Sequence, residues 1–206
     1  MTRLGLYASW PLYGAALGAA GMALFVSASR FLPVPVAAAT VTIFWACVSS
    51  LLREDVRIGA PHGPWTLARI APRVLAAIIW IGAFVHEGAS HAGILRMAMA
   101  AATAQCISRA GTLALAWTSR PAAGGLELCA RLSASAAIPA ALIGTLAASL
   151  YGLRIGVALI AGAYVILRGA RDWFYRQHGG IDGDDLANAR MLLECYTVLL
   201  VVFEPR

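Results

Sequence analysis

Three aspartates, Asp182, Asp184 and Asp185, fall within four positions in the run His178-Gly179-Gly180-Ile181-Asp182-Gly183-Asp184-Asp185, and a further acid, Glu194, follows inside an apolar stretch. Carboxylates this close repel one another near a low-dielectric medium unless they share a cation. A hard divalent ion is the simplest partner. Mg2+ takes oxygen ligands, holds one or two carboxylates and leaves the rest of its shell to water and substrate phosphates. Gly179, Gly180 and Gly183 allow sharp turns and leave backbone open to a pyrophosphate. A helix that starts near Asp184 carries Glu194 roughly three turns along, on nearly the same face. The same residues have a plainer use, as a solvated Asp/Gly turn in which Asp184 or Asp185 caps the last helix. Glu194 argues for more than a cap, because an ionisable residue inside an apolar helix is costly and is a functional candidate by default.

A second acidic group lies upstream, where Leu52-Arg53-Glu54-Asp55-Val56-Arg57-Ile58-Gly59-Ala60 brings two acids and two arginines together. His62 and His178 border the two groups and are placed to touch a substrate, whereas His86 and His91 fall at the other end of the helices. Arg96 and Arg109 stand inside an apolar run. Each has two uses open to it, meeting a substrate phosphate or pairing with Glu194 or a backbone carbonyl.

The elements that must position these groups follow from composition. Of 206 residues, 60% are hydrophobic and only 13% charged, with a mean hydropathy of +0.74. That is the profile of a membrane protein. The sixteen basic residues are all arginine, against ten acids, for a net charge of +6. They are spread among short connections rather than gathered on one soluble face, which excludes a nucleic-acid-binding domain. Cys47, Cys106, Cys129 and Cys195 have neither zinc nor CxxC spacing and read as small apolar residues.

Seven segments are apolar enough to span: 11–29, 33–52, 74–86, 93–118, 133–150, 155–168 and 187–203. The first reads as a span rather than a removed signal peptide. Breakers separate the segments, among them Pro33, Pro35, Pro61, Gly88, Pro121 and the Gly179-Gly180 pair. A cytoplasmic N-terminus puts eleven arginines inside and three outside, the remaining two lying within a span, as the positive-inside rule requires. The orientation depends on 93–118 being one tilted span and not two short pieces around Arg109. Gly14, Gly18 and Gly21 give the first helix a face that another backbone can approach closely. Trp10, Trp65, Trp117 and Trp173 sit near predicted ends, as interfacial anchors do. The expectation is an all-α, polytopic membrane bundle of about seven helices forming one domain over 1–206.

Two short motifs resemble the cobalamin synthase family, adenosylcobinamide-GDP ribazoletransferase. Gly179-Gly180-Ile181-Asp182-Gly183-Asp184-Asp185-Leu186-Ala187 with its trailing Glu194 is similar to the family's Gly-Gly-x-Thr-Gly-Asp-x-x-Gly-Ala signature. Asp55-Val56-Arg57-Ile58-Gly59-Ala60 is similar to its Asp-Ser-Arg-Ile-Gly-Ala element, and Pro11-Leu12-Tyr13-Gly14 to its first span. The order and spacing of spans agree over nearly the whole chain. The chain departs from the family pattern at one large point: the acidic stretch that normally precedes the Asp-Ser-Arg element is missing, and Ser50 passes almost directly into Arg53-Glu54-Asp55. Asp182 stands for Thr and Ala187 for Gly.

The resemblance implies a multi-pass enzyme of the bacterial inner membrane with its active face in the cytoplasm. It would join adenosylcobinamide-GDP to α-ribazole or its phosphate with release of GMP. The implied cofactor is Mg2+, with Asp184 as first ligand and Asp182, Asp55 and Glu194 completing the set. Arg57, Arg171 and Arg176, with the backbone of Gly179, Gly180 and Gly183, would hold the substrate, and Asp185 or His178 would serve as general base. The implied partners are the corrinoid nucleotide and ribazole, the lipid bilayer, and a second copy of the chain or other corrinoid-pathway enzymes. Two alternatives stand beside this reading. One is a relative that binds corrinoid or nucleotide without turnover, for which the missing stretch argues; the other is a small transporter or scaffold, which inverted repeats would favour.

Overall fold

The computed structural model describes residues 7–51, 67–88, 90–122 and 132–203. Among them the chain is helical throughout, apart from turns and one isolated bridge. The helices in order are α1 (Trp10–Ala28), α2 (Val34–Leu51), α3 (Leu67–Glu87), α4 (His91–Thr118), α5 (Ala134–Ser149), α6 (Gly152–His178) and α7 (Gly183–Val202). Each expected segment is found as one helix. The run whose integrity decided the orientation, 93–118, lies within a single 28-residue helix, about 42 Å long at 1.5 Å per residue.

Helix ends differ from the expectation where capping outreaches hydropathy. α3 starts at Leu67 rather than 74 and takes Pro72 into its second turn, where the ring removes one backbone hydrogen bond. α6 runs past the expected end at 168 to His178 and stops at Gly179, whose φ of 69° lets its N–H donate back to the Tyr175 carbonyl at 3.1 Å. At the start of α4 the Ser90 hydroxyl accepts the Gly93 N–H at 3.0 Å.

α4 is the central element, packed against α1, α5 and α7. Glycine makes the α1–α4 contact possible, as expected: a Cβ on Gly14 would collide with the Gln105 carbonyl, and one on Gly18 would lie 2.6 Å from the Ala101 carbonyl oxygen. Gly21 instead faces the Trp45 indole of α2, which donates to the Leu17 carbonyl at 3.0 Å. Two apolar clusters result. One holds Phe25, Trp45, Trp80 and Phe84, with the Trp45 and Trp80 rings 4.6 Å apart. The other gathers Trp10, Leu113, Phe174, Ile181 and Leu186. Trp10 is therefore a core residue of that cluster and not the expected interfacial anchor. Trp117 and Trp173 are exposed, while Trp65 lies outside the described residues.

The helices alternate in direction. Ile181 pairs with Pro121 and Ala122, so the connection after α4 and that after α6 share one end. His86 stacks on Phe203 at 5.0 Å, joining the final turns of α3 and α7 at the other. Large apolar side chains face outward along the flanks, as with Leu146, Leu153, Tyr164 and Val165, while Arg109 is completely buried. Trp10–Ala28 and Gly152–Gln177 are long and apolar enough to cross a membrane; Val34–Ser49 and Ala134–Ser149 are apolar but shorter.

Candidate functional site

The glycine-aspartate motif forms a fixed turn between α6 and α7. Its middle is tied to the end of α4 by two backbone hydrogen bonds, Ile181 N–H to the Arg120 carbonyl at 3.0 Å and Ala122 N–H to the Ile181 carbonyl at 3.1 Å. Gly180 is needed for that approach, since a Cβ there would lie 2.6 Å from Ala122 N. Tyr175 closes the arrangement: its hydroxyl accepts the Arg120 N–H, and the Arg171 guanidinium lies 5.3 Å over its ring.

The three aspartates sit at the start of α7. Asp182 is the N-cap, its Oδ1 accepting the Asp185 N–H at 2.9 Å, and Asp185 Oδ2 accepts the Asp182 N–H in return at 3.1 Å. This is a reciprocal capping box, so the cap falls two or three residues earlier than the expected Asp184 or Asp185, with Asp185 as its buried partner. Asp184, half-buried, completes the first turn. Backbone N–H groups and the positive end of the helix dipole stabilise carboxylates at this position. They meet the need for which a shared cation was invoked.

Glu194 is used elsewhere. It lies ten residues beyond Asp184, about 15 Å along the axis at 1.5 Å per residue. Its Oε1 accepts the Ser108 hydroxyl at 3.2 Å and faces Arg190 Nε at 3.7 Å. At the next residue of α4, the Arg109 guanidinium donates to the Gln105 carbonyl at 3.1 Å and to the Gln105 side chain, and lies 5.7 Å over the Tyr13 ring. The hydroxyls of Thr112 and Thr197 bond within their own helices. Of the two uses open to the buried arginines, carbonyl pairing is the one Arg109 takes, and Arg96 pairs with Glu87 at 2.9 Å.

Gln105, Ser108 and Arg190 were not singled out from sequence, yet their signal is visible. Polar residues recur at 105, 108, 109 and 112 on α4 and at 190, 194 and 197 on α7, the spacing of one helix face in each case. Two such stripes in otherwise apolar helices are placed to face one another.

The structure thus brings Gly179, Gly180, Gly183, Asp182, Asp184, Asp185 and Arg171 to one end, and sets Glu194 apart from them. Arg176 is exposed on α6. Asp55 and Arg57 lie outside the described residues, as does the side chain of His178. Among the described residues no three His, Cys, Asp or Glu side chains are grouped to hold a metal ion. The expected set of Asp184, Asp182, Asp55 and Glu194 is not assembled by its described members, because Asp182 is engaged in a cap with Asp185 and Glu194 lies deep in the bundle. No protein-family model, curated protein or solved structure matches the chain. The likeness to cobalamin synthases accordingly stands on the two short motifs and the order of the helices.

Proposed function

We propose that the chain is a polytopic protein of a bacterial inner membrane and that it works as a cobalamin synthase-like ribazoletransferase with its active end in the cytoplasm. Its inverted polarity supports the membrane placement: Leu153 is 86% exposed while Arg109 is 0% exposed, the reverse of the ordinary soluble distribution. Apolar flanks around a polar seam suit lipid, where ionisable groups face the bundle interior and pair with one another. The observation that carries the activity is the unity of the motif. Apart from Glu194, the described residues that match the family signature belong to one built element, a pinned glycine turn running into α7.

In this reading the ribazole hydroxyl oxygen attacks the phosphorus next to cobinamide, a new P–O bond forms, the P–O–P link breaks and GMP leaves with the bridging oxygen. The turn backbone and Arg171 bind and orient the diphosphate, and Arg120 flanks it. The described carboxylates do not fit the Mg2+ set that the family would bring, so no step is routed through the ion. Purified protein supplied with adenosylcobinamide-GDP, α-ribazole and Mg2+ is expected to release GMP and form cobalamin, and Arg171→Ala to lower both strongly. Equal yield from that variant would overturn the site.

A second reading is favoured by one observation, the commitment of Asp182 and Asp185 to each other's backbone N–H groups. On that reading the chain binds the corrinoid nucleotide without turnover. Retention of adenosylcobinamide-GDP with no GMP released would select it.

A further inference from the structure

The outward face of α6 changes character along its length. From Val157 through Ala161, Tyr164 and Val165 it is apolar and exposed, and the same face continues through Arg168, Asp172 and Arg176, with Trp173 exposed at its border. Those positions recur at three- and four-residue intervals, so they form one stripe. The helix has 27 residues, about 40 Å at 1.5 Å per residue, which exceeds a hydrocarbon core of about 30 Å. Its charged last third therefore reaches the headgroup layer when Leu153 to Val165 lie among acyl chains.

We propose that this strip, Arg168, Trp173 and Arg176, is a binding surface for an anionic phospholipid of the cytoplasmic leaflet. The inference rests on the membrane reading above but not on the transferase activity. Three arginines against one aspartate in 168–178 give the segment a positive balance. Asp172 does not cancel it: Arg168 Nε approaches Asp172 Oδ2 at 3.4 Å with both side chains at least half exposed, and a guanidinium keeps further donors for a second acceptor. Arg171 is turned to the Tyr175 ring and is not needed for the strip. The headgroup phosphate would meet the two arginines, the Trp173 ring would lie at the headgroup level, and the acyl chains would follow Val165 and Ala161.

The test is reconstitution of the full chain into vesicles of phosphatidylcholine alone or mixed with phosphatidylglycerol, with bromine on the acyl chains of one lipid at a time. The Trp173 signal is the difference in quenching between the chain and its Trp173→Phe variant. Wild type is expected to show stronger quenching by brominated phosphatidylglycerol, corresponding to a preference of roughly fivefold for each arginine near the surface. Arg168→Gln with Arg176→Gln should remove the preference and the paired Lys substitutions should largely restore it. Equal quenching by both lipids in wild type, or an unchanged preference in the Gln pair, would sink the assignment. So would loss of the preference to inorganic phosphate at constant ionic strength, which would make the strip a site for free phosphate. No quenching by either lipid would overturn the membrane reading and this inference together, whereas absent GMP release touches neither.

Discussion

At the scale of single residues, the three aspartates separate by what their oxygens do. Asp182 caps α7, so Asp182→Ala should cost about 1 kcal/mol of stability, while Asp182→Asn should be nearly neutral because asparagine caps as well as aspartate. Thermal unfolding of the purified protein in detergent measures both. A metal role for Asp182 would give the opposite pattern, with Asn as harmful to GMP release as Ala. Glu194 behaves differently because its partners are buried. Replacing it by Ala removes the carboxylate that faces Arg190, and breaking a buried pair from one side typically costs about 3–5 kcal/mol. Glu194→Leu combined with Arg190→Leu is expected to recover much of that loss. If the double variant unfolds no later than Glu194→Ala alone, the pair is not what holds the seam.

Among the described helices, the order of elements was legible because apolar runs are punctuated by Pro and Gly, and that signal is local. The partners inside the bundle were not. Glu194 could be recognised as costly from α7 alone, but that Ser108 supplies its donor depends on how α4 is rotated against α7, which spacing within one helix does not reveal. Trp10 shows the same limit: its place near a helix end suggested an anchor, and only the packing of the helices puts it in a buried apolar cluster. The α1–α4 contact was readable, since glycines at 14, 18 and 21 state a requirement for close approach. Gly18→Val should therefore push α1 away from the Ala101 carbonyl and lower the unfolding temperature markedly, whereas Gly82→Ala, on a face with open space around it, should leave it unchanged or slightly raised. Similar losses at both positions would mean that the contact is not set by backbone approach.

Across the whole molecule, orientation is decided by how many times the chain turns. α4 is one continuous helix, so the ends of α2, α4 and α6 lie with the start of α1, and the ends of α1, α3 and α5 lie at the other end. On the proposed membrane reading, the arginine bias of the sequence would put the first end in the cytoplasm. Reporter fusions can read this directly. A phosphatase fused after Arg30 or after Gly152 is expected to be active, and the same reporter after Arg120 or after Gly180 inactive, with a cytoplasm-dependent fluorescent reporter giving the complementary pattern. The informative comparison is between the fusions after Arg30 and after Arg120. Opposite states require an odd number of crossings between them, as α2, α3 and α4 supply if each spans once. Equal states would mean that one of these helices does not cross, and two active fusions would carry the Gly-Asp turn to the outer face, away from cytoplasmic nucleotides. The same result would remove Arg168 and Arg176 from the cytoplasmic leaflet, so the proposed placements of the Gly-Asp turn and of the arginine strip stand or fall on a single parity.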